Sequence, residues 1–318
     1  MSKSKFIALA GIWVVLASSA LAEAPSGERF RILERLRQDD LQVSSLAYRL
    51  VVANSDRCAR QMPATGLILH SIDQYHGPWR LPAVQLFGTI GATSVEGIVP
   101  QSPAELAGVE AGDELIAVNG QQFGLANSIA AASTSRRDQA EETLMLQPER
   151  DPIRLTVVRA GVAREIILRP LPACRSRFEV VAGSARFART DGQIIQLGQE
   201  LIRTLSEEDI AFVISHELAH SILDHRTQLA ALEKRGRSRA TVQMRNELAR
   251  EFEDQADRLS VRLLAQAGFD PRAAPRFMRK HGKDYNKAST GRGIHRPARE
   301  RAELMDAEIA RFKSEQDG

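Results

Sequence analysis

Cysteine is almost absent from this 318-residue chain, which has only Cys58 and Cys174. Two cysteines cannot build a cysteine-rich disulfide scaffold, their spacing matches no zinc site, and neither stands in a nucleophile context. A long apolar run is also missing. Phe6 to Leu16 is short against the roughly 20 residues that a spanning helix needs. With Lys3 and Lys5 before it and Ala20-Leu21-Ala22 after it, the run has the form of an export signal. Residues 1–22 are therefore expected to be a signal peptide cleaved after Ala22, with a retained anchor as the one route to membrane contact. No lipid-attachment cysteine follows. Charge of one sign is scarce too, since 43 basic against 40 acidic residues leave a net +3. Losing Lys3 and Lys5 with the signal leaves +1, so the basic pI reflects a mixed, solvated surface and no nucleic-acid partner is expected. The expected location is periplasmic or secreted. There are no internal repeats, and only a Gly/Lys/Ser-rich stretch at about 282–293 reads as a long loop, placed to act as a lid.

The most informative run present is His216-Glu217-Leu218-Ala219-His220. Ser206 with Asp209 three residues on reads as a variant capping box, and Ile210, Phe212, Val213 and Ile214 follow, which predicts a helix from 206 to about 225. Residues four apart share a helix face, so His216 and His220 aim two imidazoles at one point with Glu217 beside them. Two neutral imidazoles suit zinc, and an adjacent carboxylate can take a proton from an attacking water. The run therefore points to metal-assisted peptide hydrolysis. A buried histidine pair without metal would leave polar groups in search of partners among Val213, Ile214, Leu218 and Ile222.

A catalytic zinc needs a third protein ligand. A metzincin would carry glycine at Leu223 and histidine at Arg226, so that class is excluded. On one continuous helix His225 falls off the metal-facing stripe and reads as a helix-end residue near the dipole. Residues 239–267 form a second helical stretch with Phe252, Ala256, Leu259 and Leu263 as its apolar stripe. Glu253 and Asp257 share a face of it. Glu253 can ligate a metal while Asp257 holds a ligand histidine by its second nitrogen. Taken alone, Glu251, Glu253, Asp254 and Asp257 read rather as an ordinary solvated acidic face.

HELAH, then Glu253-Asp254-Gln255-Ala256-Asp257-Arg258, then Ala267-Gly268-Phe269-Asp270-Pro271 together resemble the gluzincin metallopeptidases that include the CAAX prenyl protease, the HtpX heat-shock protease and soluble periplasmic relatives. The resemblance covers roughly 175–305. It implies one zinc per chain held by His216, His220 and Glu253, with Glu217 as general base and Asp257 behind a ligand. The family also places a histidine six residues before an arginine near the C-terminus, which falls on His295 and Arg301. There the histidine steadies the oxyanion or occupies the site in a resting state, and Arg301 joins the outer shell. The chain departs from the family in two places. Arg296 separates His295 from Pro297, and the usual Asn-Ala before the zinc helix is replaced in Ala185-Arg186-Phe187-Ala188. Gln193 to Leu197 reads as the strand leading to that helix, in the region where the family pairs an edge strand with substrate.

A second resemblance lies in the middle of the chain. A strand over Ser94 to Val99 is followed by Pro100-Gln101-Ser102-Pro103-Ala104-Glu105-Leu106-Ala107-Gly108-Val109 and then Gly112-Asp113-Glu114-Leu115-Ile116-Ala117-Val118-Asn119-Gly120. This resembles a PDZ domain of the bacterial protease type. A hairpin is expected across Ala160-Gly161 and a second helix within 137–146, with Leu86-Phe87-Gly88-Thr89-Ile90 as the best candidate for a carboxylate-binding loop. The expected fold is α+β: an N-terminal helical region at 23–81, an inserted PDZ domain at 82–170, and a mainly helical zincin-type metallopeptidase domain at 171–318. About 296 residues after the signal, in a chain that is 43% apolar, suit two compact units. Cys58 and Cys174 flank the insertion and are expected to form a disulfide in an oxidising compartment. The function expected is zinc-dependent endopeptidase action on unfolded or misassembled envelope proteins, with a peptide ligand at the PDZ domain as a further partner. The alternative is a PDZ-bearing chaperone or adaptor whose peptidase site is latent or inactive.

Overall fold

The computed structural model describes residues 26–88, 93–123, 132–234, 236, 238–288 and 295–317. The expected signal, Thr89 and Ile90 of the expected carboxylate loop, and 289–293 of the expected lid lie outside these residues; 282–288, expected as loop, instead continue the helix Ala273–Ala288. A 28-residue helix, α1 (Ser26–Ala53), opens the described chain. Strand β1 (Gln61–Ala64) follows, and then β2 (Leu67–Ser71). Helix α2 (Arg80–Phe87) ends at Gly88, and β3 (Thr93–Ile98), the short α3 (Pro103–Leu106), β4 (Glu114–Val118) and β5 (Gln121–Gln122) come next. Helix α4 (Ser135–Met145) precedes the hairpin of β6 (Ile153–Arg159) and β7 (Val162–Leu168).

Residues 54–80 are not the helix expected of them. Their apolar residues are used in pairings that no local pattern encodes. β1 runs antiparallel to β8 (Leu171–Cys174), and β2 is an edge strand of the six-stranded sheet in the order β2-β3-β4-β6-β7, with β5 on β4. The β-rich unit therefore takes in residues upstream of 82. Its turns follow local chemistry. Asn119 (φ 48°) and Gly120 (φ 82°) are both left-handed, as a tight hairpin turn with the twist of its strands requires, and Ala160-Gly161 repeats the device between β6 and β7. Leu69, Val95, Leu115, Leu155 and Val157 fill the core under α4, which contributes Ala140 and Leu144.

The chain then returns to the first unit. β9 (Arg177–Val181), β10 (Ala188–Thr190) and β11 (Ile194–Gly198) make a three-stranded sheet. A short helix, α5 (Gln199–Ile202), leads to α6 (Glu207–Ile222) and α7 (His225–Glu233). The long α8 (Arg239–Gln266), α9 (Ala273–Ala288) and α10 (Ala298–Asp317) complete the unit. β11 is the central strand, parallel to β9 and antiparallel to β10. The edge beside α6 is therefore β10, and an added strand has no free backbone to pair with on β11. Helix α6 starts as its sequence dictates, with the Ser206 side chain accepting from Asp209 N and Asp209 reaching back to Ser206 N. One core joins Val43, Leu46 and Leu50 of α1 to Ile195, Leu197, Phe212, Ile214, Leu264, Phe277 and Met305.

Two features tie the units together. Between them lies a buried network in which Arg137 of α4 reaches Glu179 of β9 at 2.6 Å, and Arg177 of β9 reaches back to Asp138 at 2.6 Å. Burial pushes the nearby Glu96 carboxyl up to about 7, with Arg137 and Arg37 pulling the other way, and it also raises Asp40, which the charge of Glu96 raises further. The second tie is covalent. Cys58 and Cys174 form a disulfide, with Cα atoms 5.3 Å apart and a sequence separation of 116. In the chain-entropy view a loop of that length stabilises the fold by about 4–5 kcal/mol. A Cys58→Ser, Cys174→Ser protein is expected to lose stability of that order, read from its denaturant midpoint. Two reactive thiols in the denatured, unreduced wild type would contradict the bond.

Candidate metal centre

α6 and α8 pack side by side and bring three ligand-type side chains together. His216 and His220 stand one turn apart with their Nε2 atoms 3.2 Å from each other. Glu253 of α8 faces both, with Oε2 3.3 Å from His216 Nε2 and Oε1 3.5 Å from His220 Nε2. One ligand atom from each residue falls within a sphere where all lie within 4.8 Å of one another. Two imidazoles and a carboxylate, converging and mostly buried, fit a zinc that keeps an open position. They do not fit a solvated acidic face, because the neighbouring carboxylates are committed elsewhere. Asp254 pairs with Arg296 at 2.7 Å, and Glu251 accepts from Gln255. Asp257 accepts two bonds from Arg301, at 2.6 and 2.7 Å.

The electrostatics follow from this packing. Burial disfavours the charged ring of His216, yet hydrogen bonds to Asp257 and Glu253 outweigh it and lift the imidazole to about 9. Burial dominates at His220 and lowers it to about 3. Glu253 is also buried, but hydrogen bonds from His216 and His295 hold its carboxyl well below the usual range. Asp257 is held low against its burial by the Arg301 guanidinium. Glu217 lies beside the ligands, 7% exposed, with its carboxyl pushed upward by burial, the direction that brings a carboxylate towards useful basicity near neutral pH.

Residues 176–238 match the family model described as Peptidase family M48, and residues 94–159 match that of a PDZ domain. Over those residues the peptidase unit is similar to the M48 metallopeptidases, and the β-rich unit to PDZ domains. Among solved structures, the crystal structure of the HtrA3 PDZ domain bound to a phage-derived ligand (FGRWV) is similar at 17% identity. That likeness covers 36% of this chain and 88% of the other, with a TM-score of 0.24. No curated protein matches. The α+β class expected from sequence is the class observed.

Every residue expected at the metal centre lies in one place. His295 brings Nδ1 to 3.0 Å from Glu253 Oε2, and Arg301, fully buried, sits behind Asp257, whose Oδ1 is 3.1 Å from His216 Nδ1. Three side chains were missed. Tyr285 of α9 donates its hydroxyl to Glu217 Oε1 at 3.3 Å, and no periodic signal marks it. His225 touches His220, and Gln255 touches His225. The helical phase that set His225 aside fails because Asp224 is left-handed (φ 53°) and ends the continuous helix. In the PDZ domain, Leu86 and Phe87 belong to α2 and Gly88 caps it, so the candidate carboxylate loop is displaced. Thr65-Gly66, immediately before β2, instead borders a cavity of about 140 Å³ that β2 and α4 flank.

Proposed function

We propose that this chain is a zinc-dependent endopeptidase, exported to the periplasm or secreted, that cuts unfolded or misassembled envelope proteins in protein quality control. The observation that carries the reading is the convergence of His216, His220 and Glu253 with the Glu217 carboxylate beside them. When bound there, zinc supplies Lewis-acid polarisation of a scissile carbonyl and lowers the pKa of an attacking water. The chain's own groups do the rest. Glu217 accepts the proton of the attacking water at its carboxylate and passes it to the leaving nitrogen. Tyr285 holds Oε1 of that carboxylate and so fixes which oxygen is free to act. Asp257 and Arg301 hold His216 from behind, and His295 is placed at the ligand carboxylate to steady charge on the substrate side of the centre.

The edge of β10, packed beside α6 and paired only with β11 among the described residues, offers backbone to an extended substrate in the manner of an added strand. The cavity beside β2, with Leu67, Leu69, Leu144 and Met145 on the PDZ side and Tyr48 and Arg177 on the peptidase side, is the site for a peptide ligand. Among the described residues no helix is long and apolar enough to cross a membrane. The export signal in residues 1–22 and the disulfide support the oxidising compartment. The test is casein hydrolysis by zinc-loaded protein. Turnover is expected, with loss on chelation and recovery on adding back zinc. Tight zinc binding without cleavage of casein would favour the chaperone or adaptor reading.

A further inference from the structure

The two histidines of the centre are held from behind by different chemistry. His216 has a carboxylate, Asp257, at its Nδ1. His220 has another imidazole. α6 stops at Ile222, and the left-handed Asp224 turns the chain so that His225, the first residue of α7, comes back against the ligand. His225 Nδ1 lies 2.9 Å from His220 Nδ1, and its Nε2 lies 3.1 Å from Gln255 Oε1. Gln255 in turn donates from Nε2 to Glu251 Oε1 at 3.0 Å. The His225 ring is 2% exposed and stacks on Phe252, with centroids 4.0 Å apart and planes 6° from parallel.

The proton positions along this chain of contacts follow from one requirement. If His220 is to offer a lone pair at Nε2, its proton must sit on Nδ1 and be donated to His225 Nδ1. His225 must then be neutral with its own proton on Nε2, where Gln255 presents a carbonyl oxygen. The amide has one orientation that serves, because Glu251 accepts only from its NH₂ end. Glu251, Gln255, His225 and His220 thus form an ordered relay in which each group sets the next. A neutral acceptor also adds no charge to a centre that already contains Glu217, Glu253 and Asp257.

We propose that His225 is a positioning residue for His220, fixing its tautomer and ring orientation so that Nε2 is directed at the metal. The proposal rests on the zinc reading of the centre and goes beyond it in naming what holds the second ligand. His225→Phe keeps the ring on Phe252 and removes both nitrogens. Measured by chelator competition, its zinc dissociation constant is expected to rise about 10–100-fold, the usual cost of removing an outer-shell partner. The melting temperature of the metal-free protein should change little. His225→Gln, which keeps an acceptor oxygen, should recover part of the affinity. Gln255→Leu, a change on a half-buried helix position that leaves every ring in place, should weaken zinc in the same direction by a smaller factor. Wild-type affinity in both His225→Phe and Gln255→Leu would overturn the proposal, and so would an equal loss in His225→Phe and His225→Gln, since that would indicate ring packing alone. A wild-type protein that binds no zinc would instead sink the metal reading itself.

Discussion

A Glu217→Gln protein is expected to fold, to bind one equivalent of zinc, and to hydrolyse casein about 10²–10⁴-fold more slowly than wild type. Glutamine has nearly the size of glutamate and its side-chain carbonyl can still accept from Tyr285, whose hydroxyl lies 3.3 Å from Glu217 Oε1. What it loses is the ability to take a proton. The three ligand-type side chains are untouched, so metal content and turnover separate: one stays and the other falls. Metal analysis and a peptidase assay on the same preparation check this. Equal rates in the two proteins would remove Glu217 from the base role, and loss of zinc together with activity would make it a structural support of the site. The inactive, metal-loaded protein is also suited to retaining bound substrates for identification.

Glu253→Ala is expected to behave differently, with zinc and activity lost together and the dissociation constant raised by well over about 100-fold, more than an outer-shell change costs. The reason for choosing this carboxylate is the occupation of its neighbours. Asp254 pairs with Arg296, Glu251 accepts from Gln255, and Asp257 is gripped by Arg301, which among these four carboxylates leaves Glu253 facing both Nε2 atoms. Stoichiometric zinc in a Glu253→Ala protein would show that another residue is the third ligand. The same variant loses a partner of His295, so a comparison with His295→Ala, which leaves the ligand set whole, separates ligation from support.

Much of the centre was legible because it is written in helical periodicity. The four-residue spacing of His216 and His220, and of Glu253 and Asp257, places each pair on one face whatever surrounds it. The Ser206 cap, the Asn119-Gly120 and Ala160-Gly161 turns, and the 135–145 helix are likewise local, and local backbone preferences suffice to specify them. His225 shows where such reasoning stops. One left-handed residue, Asp224, shifts the phase of everything after it, and Asp tolerates that conformation without advertising it in the apolar pattern.

By itself, the sequence determined the two unit types and the candidate ligand residues, because each depends on residue chemistry at short, regular spacing, and it left one cysteine pair available for bonding. Tertiary structure decided what depends on contacts far apart in the chain. Met62 sits opposite Ala173 and Leu67 opposite Ile98, which draws residues 61–71 out of the expected helical region and into strands, since backbone groups that leave water must find partners wherever the fold supplies them. It also made β10 rather than β11 the open edge, brought Tyr285 to Glu217 across 68 residues, and set His225 against His220 by way of Phe252. Such neighbours are chosen by close packing of whole elements, and no window of local sequence contains that information.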